Sequence, residues 1–214
     1  MIRRACVLLA FAASAVSGQN KKPDPDVEFT TSCSCVLCHG SHRWSVKIEV
    51  AQPPASIPPS HQLTPSSFRQ WKGPGGKFPK DAPRTGKERE WFALTGEVRW
   101  VKIEDDGDIH LQLADLGAGP NAKTASVEVP NGQPWCAIRD QIFALMGAAF
   151  PIRFSNNKDL PLKTAAVITV IGKAFYDVEN DGGNTSANDR DGAGKSRTTV
   201  WEIHPVMKAT IRSK

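Results

Sequence analysis

Apolar and polar residues alternate along several stretches in the second half of the chain, which is typical of half-buried β-strands. In residues 91–103 the apolar positions fall first on even and then on odd numbers. A change of phase within one long strand predicts a β-bulge. Two more alternating runs, at residues 109–113 and 125–129, predict a second and a third strand.

The spacing becomes helical in residues 138–149, and Pro151 ends the predicted helix. The β-branched run at residues 165–175 and the segment at 198–211 predict a fourth and a fifth strand. Three strands, a helix and two strands, with a bulge in the first strand, match the five-stranded Greek-key barrel of the OB-fold. The sequence therefore predicts a mainly β protein with an OB-fold-like barrel and one helix between strands 3 and 4.

Four segments of different composition follow one another along the chain. Residues 1–18 combine two arginines, a short apolar run and small residues, which predicts a cleaved signal peptide. Residues 19–51 form a polar leader and a cysteine-rich segment, in which residues 44–50 alternate like a short strand. Residues 52–88 contain eight prolines and predict a Pro/Gly-rich basic linker, and residues 89–214 form the predicted barrel.

The predicted signal peptide indicates a secreted or periplasmic protein. No apolar run after residue 20 approaches the roughly 18 residues that cross a bilayer, so the mature chain has no predicted transmembrane segment. The formal charge of +5 would favour a polyanion as partner. Residues 90–214 nevertheless hold 14 basic against 16 acidic side chains, so the excess positive charge belongs mainly to the linker. Nucleic acid is therefore the less favoured partner, because a barrel that binds it should be basic.

Three short motifs in the predicted strands carry a resemblance. They are Asp-Gly-Asp-Ile-His-Leu at 106–111, Val-Glu-Val-Pro at 127–130 and Glu-Ile-His-Pro-Val at 202–206. The chain resembles an uncharacterised family of exported bacterial proteins over about residues 90–210, with a weaker similarity at residues 42–47. The resemblance implies an OB-fold-like domain and export from a bacterial cell, and it implies no activity.

Five polar residues fall on one face of the predicted barrel strands: Asp108, His110, Glu128, Glu202 and His204. Side chains alternate along a strand, and OB topology places the third strand beside the second and the fifth. Two imidazoles and three carboxylates resemble a metal-binding set, with Asp108, His110, Glu202 and His204 as the predicted ligands of a divalent metal. The alternative is an ordinary solvated outer face with cross-strand pairs.

The turn at residues 106–108 is also similar to a turn of thermonuclease-like OB-folds, in which a carboxylate helps to hold calcium. A metal-dependent, nuclease-like hydrolase that uses the polar face is therefore one alternative function. No G-x-S-x-G motif, P-loop or dinucleotide-binding motif occurs in the sequence. The sequence favours an exported binding or structural module over an enzyme. Its ligand is unknown, and an oligosaccharide or another polymer is one candidate.

Four cysteines follow the predicted signal peptide, and an even number in an exported protein predicts disulfides, for example one local bridge and one bridge to Cys136. Cys35, Cys38 and His39 also have the C-x-x-C-H spacing of c-type haem attachment. A haem c carrier is therefore a second alternative function. A zinc site that also includes Cys33 is a further possibility for this segment.

Overall fold

The computed structural model describes residues 26–38, 40, 42–73, 79, 81–155, 158–177 and 200–214. The predicted signal peptide and His39, the predicted haem ligand, lie outside the described residues.

The strands are β1 (Asp26–Thr31), β2 (Ser34–Cys35), β3 (Gln62–Leu63), β4 (Trp91–Ile103), β5 (Ile109–Ala114), β6 (Ala125–Val129), β7 (Ile152–Ser155), β8 (Ala166–Tyr176) and β9 (Trp201–Ser213). The α-helices are α1 (Trp44–Lys47), α2 (Pro65–Phe68) and α3 (Cys136–Met146). Short 3-10 helices occupy Pro59–His61, Gly86–Arg89 and Gln133–Trp135. In the part of the chain that the structure describes, no helix has the length and apolar character needed to span a membrane.

Five strands close into a barrel in the order β4, β5, β6, β9, β8, and β8 returns to pair with β4. All of these pairs are antiparallel except β6 with β9, which is parallel. Helix α3 lies between the third and the fourth barrel strands, and β7 follows it there. The predicted OB-fold-like barrel is therefore confirmed, including the position of its helix.

Bulges interrupt two of the strand pairings in the barrel. The register of β4 against β5 shifts between Val98 and Trp100, where the sequence predicts a bulge. The register of β8 against β9 shifts around Gly172. A Cβ at Gly172 would clash with the carbonyl oxygen of Pro205, so glycine permits a close approach of two backbones at this bend.

The hydrophobic core extends from the barrel interior into the N-terminal segment, by which we mean the described residues before residue 52. Leu111 and Ile203 of the barrel are fully buried, and so is Phe29 of β1. The ring of Phe29 packs edge to face on Phe143 of α3, with 5.6 Å between the ring centroids. Strand β1 also pairs with β7. Strand β1 therefore shares the core of the barrel, although the sequence assigns it to a polar leader and cysteine-rich segment.

Helix α1 stands where the alternation of residues 44–50 predicts a strand, so this local prediction is wrong. Arg43 precedes the helix with a φ of 53°, and its backbone carbonyl accepts the first helical hydrogen bond, from Lys47. The Arg43 guanidinium donates to both carboxylate oxygens of Glu88, over 2.7 and 3.0 Å. This buried ion pair holds the segment in place, and such tertiary contacts override a weak local pattern.

Several described residues of the segment 52–88, which the sequence predicts as a linker, are buried against the barrel. Phe68 is fully buried and Arg84 is 7% exposed. The Arg84 guanidinium donates to the backbone carbonyls of Ala174 and His204 over 2.8 and 2.9 Å. Proline and glycine prevent long helices and strands in this segment, but they do not prevent burial. The described part of the segment is therefore largely irregular and is attached to the barrel at several points.

Candidate metal-binding site

A cluster of ionisable side chains lies between the outer face of β5, β6 and β9 and the N-terminal segment. We call it the buried cluster, and its members are Lys47, Glu104, Asp106, Asp108, His110, Glu128, Glu202 and His204. All five site residues predicted from the sequence belong to it, and none of those five is more than 6% exposed. The solvated-face alternative is therefore wrong, because the N-terminal segment covers this face of the barrel.

Strand pairing brings the predicted residues together. His110 of β5 lies directly opposite Glu128 of β6. Strand β9 runs parallel to β6, and this pairing carries Glu202 and His204 to the same face. Asp108 stands just before β5, and its Oδ1 accepts a hydrogen bond from the backbone N–H of Asn131 over 2.9 Å.

Asp108, Glu128 and His204 each offer one potential ligand atom, and these atoms lie within 4.8 Å of one another. His204 Nε2 is 3.2 Å from Asp108 Oδ2, and His204 Nδ1 is 2.8 Å from Glu128 Oε2. These atoms are buried, and none of them has a hydrogen bond of acceptable geometry. Because poorly oriented contacts compensate only part of the cost of burying polar atoms, a bound cation would reduce the remaining cost.

A second group of potential ligands shares Glu128. His110 Nδ1 lies 2.6 Å from Glu128 Oε1 and 3.3 Å from Glu104 Oε1. On the other side of the ring, His110 Nε2 lies 2.5 Å from Gln112 Nε2. The indole of Trp100 stacks on the His110 ring, with 5.7 Å between centroids and 7° between planes. Glu128 thus presents one carboxylate oxygen to each histidine.

Lys47 of α1 supplies a positive charge at the edge of the buried cluster. Its Nζ lies 3.5 Å from Asp106 Oδ2 and 3.9 Å from Glu128 Oε2. Burial alone would lower the pKa of Lys47, but the neighbouring carboxylates outweigh it and raise the pKa above its usual range. Lys47 therefore stays charged and partly neutralises the carboxylates.

The environment shifts the pKa values of the three central residues in different directions. Burial raises the pKa of Asp108. Burial would also raise the pKa of Glu128, but Lys47 and His204 outweigh it and hold that pKa well below its usual value. For His204, burial would lower the pKa, whereas Glu128 and Asp108 raise it well above its usual value. In the absence of a cation, a proton on His204 therefore balances the carboxylates, and a metal ion has to displace it.

Disulfides border the buried cluster. Cys33 is bonded to Cys136, and Cys35 is bonded to Cys38. This is the pairing that the sequence analysis suggested, with one local bridge and one bridge to Cys136. Haem attachment and a zinc site both need free thiols from Cys35 and Cys38, so this pairing favours the disulfide alternative over both.

Sequence reasoning missed two further groups of the buried cluster, Lys47 and Glu104. Lys47 lies in the segment that the alternating pattern predicts as a strand, and this local pattern does not predict a contact between Lys47 and the barrel. Gln112 follows His110 by two positions on β5, so the period of a strand already places it on the same face, although it is not one of the predicted site residues. Asp106 was recognised only as part of a turn, although its Oδ1 accepts a hydrogen bond from the Asp108 backbone.

Comparison with known proteins reveals no relative of this chain. No protein-family model, no curated protein and no solved structure matches it. Its function therefore has to be argued from the fold and from the geometry of the buried cluster.

Proposed function

We propose that this protein is an exported OB-fold-like binding module that holds a divalent cation between Asp108, Glu128 and His204. One observation carries the proposal: three buried ligand atoms from separate parts of the barrel lie within 4.8 Å of one another and lack well-oriented hydrogen bonds. Buried polar atoms normally have well-oriented hydrogen-bond partners, so three ligand atoms without such partners require an explanation. Two disulfides support export, because such bonds persist mainly outside the cytoplasm.

The donor set favours particular ions. Two carboxylates and one imidazole suit Zn²⁺ or Mn²⁺, whereas Ca²⁺ prefers a shell made of oxygen ligands. Glu202 is the fourth candidate, because its carboxylate lies 3.8 Å from His204 Nδ1. His110, which the sequence predicts as a ligand, contacts the other oxygen of Glu128 and would orient that carboxylate.

Burial favours a structural role for the ion over a catalytic one. A catalytic metal keeps a coordination position open to substrate, whereas Asp108 and His204 are fully buried and Glu128 is 4% exposed. The nuclease-like hydrolase therefore has less support than the binding module. An oligosaccharide or another polymer remains our proposed partner class, and it would have to bind away from the face that the N-terminal segment covers.

Metal titration of the oxidised protein tests the proposal. After removal of bound metal with a chelator, isothermal titration with Zn²⁺ and Mn²⁺ should give one ion per chain, with weaker binding of Ca²⁺. A free ion concentration of 100 times the dissociation constant should raise the free energy of unfolding by about 2.7 kcal/mol. The haem alternative predicts instead a Soret band in protein from an export-competent host.

Asp108→Asn is the diagnostic variant, because the amide keeps an oxygen that can accept from Asn131. Asp115→Asn is the matched control, since Asp115 also accepts a backbone hydrogen bond, from Ser66. Loss of an outer partner of a metal ligand lowers the affinity for the ion about 10- to 100-fold. Asp108→Asn alters a ligand itself, so it should lower this affinity by more than that, whereas Asp115→Asn should change it very little. Unchanged affinity in Asp108→Asn would contradict the site.

A further inference from the structure

The Cys35–Cys38 disulfide sits directly on the turn that leads into the buried cluster. Gly107 stands in this turn with a φ of 82°, between Asp106 and Asp108. A Cβ at Gly107 would clash with Cys38 Sγ and lie 3.3 Å from Cys35 Sγ. The two sulfurs therefore form the cover over this part of the site.

The two residues between these cysteines carry apolar side chains that are exposed to solvent. Val36 is 59% exposed and Leu37 is 43% exposed, and both belong to the short group of large apolar side chains that the described surface leaves exposed. An exposed apolar pair beside a disulfide offers a contact surface to a protein that must approach the sulfurs. A backbone hydrogen bond from Val36 N to Glu28 O ties this pair to β1.

Stabilisation is a weak explanation for this bridge. A disulfide that closes four residues removes little entropy from the unfolded chain, and the benefit increases with the length of the loop. The Cys33–Cys136 bridge, with a sequence separation of 103, is the effective constraint of that kind. The two bridges therefore suit different roles.

We propose that Cys35–Cys38 is a thiol–disulfide exchange site for an external dithiol protein, and that its redox state controls the cation site beneath it. The second half of this proposal rests on the proposed function, and the first half does not. The partner is a protein with two thiols that docks on Val36 and Leu37.

The thiol–disulfide exchange needs no reactant other than the two thiols of the partner. A thiolate of the partner attacks one sulfur of the bridge, forms a mixed disulfide and releases the other cysteine as a thiolate. The second thiol of the partner then attacks the mixed disulfide and releases the first cysteine. Two electrons and two protons pass to Cys35 and Cys38, and the partner becomes a disulfide.

Reduction would loosen the cover over the cation. Once the bridge is open, Cys38 is no longer tied to Cys35 against Gly107, and the turn that positions Asp108 loses its support. Coupling between two sites is reciprocal, so a cation that binds the oxidised form more tightly must also make the bridge harder to reduce. A tenfold difference in affinity corresponds to about 30 mV in the midpoint potential of this two-electron couple.

The experiment compares the two bridges of the same molecule. The oxidised protein is equilibrated with increasing dithiothreitol, alkylated and digested, and the alkylated cysteines are identified by mass spectrometry, with and without Mn²⁺. We expect Cys35 and Cys38 to be reduced first, Mn²⁺ to oppose their reduction, and the selectively reduced protein to release Mn²⁺ roughly tenfold faster. Equal or earlier reduction of the Cys33–Cys136 bridge overturns the proposal.

A double variant, Val36→Ser with Leu37→Ser, tests the partner. Reduced thioredoxin serves as the model dithiol protein, and dithiothreitol serves as the small dithiol. The variant should react several times more slowly than the wild type with thioredoxin and at an unchanged rate with dithiothreitol. Equal rates with thioredoxin overturn the docking surface.

The two proposals fail in different ways. If the protein binds neither Mn²⁺ nor Zn²⁺ in either redox state, the proposed function fails, while the order of alkylation still decides the exchange site. If Mn²⁺ binds equally well before and after selective reduction, the control of the cation site is overturned.

Discussion

Lys47→Met should destabilise the cation-free protein and strengthen cation binding at the same time. Methionine keeps the length and the helix propensity of the lysine side chain but removes its charge. At an effective dielectric constant of 20, each of the two contacts at 3.5 and 3.9 Å corresponds to about 4–5 kcal/mol of gross attraction. The cost of burying these charges offsets much of this energy.

The net effect on stability follows from the carboxylates that the variant leaves behind. Removing one partner of a buried ion pair costs about 3–5 kcal/mol, and we expect the lower end, because the Lys47 side chain is still 12% exposed. For a domain of this size, a loss of 3 kcal/mol lowers Tm by about 6–12 °C. The cation, however, no longer meets a fixed positive charge. Each reduction of 1.4 kcal/mol in this repulsion strengthens its binding about tenfold.

Urea unfolding in the presence of a chelator measures the first effect, and titration with Mn²⁺ measures the second. Lys208→Met on β9 is the matched control, because Lys208 is exposed and surface substitutions usually change stability by less than about 0.5 kcal/mol. The reasoning is refuted if Lys47→Met is as stable as this control. Weaker cation binding in Lys47→Met would equally contradict it, since that result requires the lysine to support the ion.

Three further predictions concern the cover, the N-terminal strand and pH. Gly117→Ala places alanine at a φ of 74° with open space around it and should cost about 1–2 kcal/mol, whereas Gly107→Ala also clashes with a disulfide and should cost clearly more in urea unfolding. Phe29→Ala should cost about 3–5 kcal/mol, and a loss below 1 kcal/mol would mean that β1 does not belong to the core. Because the pKa of His204 is raised in the folded protein, its contribution to stability is complete below an unfolded pKa of about 6.5 and is lost as pH rises through the folded pKa. Urea unfolding of cation-free protein at increasing pH should show this decline, and Mn²⁺ binding should tighten over the same range as the proton leaves; constant stability would contradict a protonated His204.

The local patterns of apolar and polar residues were sufficient to predict the strands and the helix of the barrel. The change of phase in residues 91–103 predicts the bulge because alternation reports directly which side of a strand is buried. The period of 138–149 likewise predicts α3, although the helix begins two residues earlier and ends three residues earlier. These elements are predictable because their apolar faces are contiguous in sequence.

Patterns of this kind failed where long-range contacts determine the conformation. Residues 44–50 alternate, yet the ion pair of Arg43 with Glu88 and the approach of Lys47 to the carboxylates place a helical turn there. The prolines of 52–88 suggest a free linker, yet Arg84 binds carbonyl oxygens of two barrel strands. Such contacts join residues far apart in sequence, and no local period encodes them.

The sequence by itself determined which residues can share the polar face of the barrel, because strand period and OB topology together assign Asp108, His110, Glu128, Glu202 and His204 to one side. Only the tertiary structure decided that this face is buried. The cover includes Cys35, Cys38 and Lys47, which lie more than 60 positions before Asp108, and the disulfide contacts the turn before β5 while the lysine contacts the carboxylates. Burial removes the water that would otherwise satisfy these groups, and it turns a row of ordinary polar side chains into a candidate cation site.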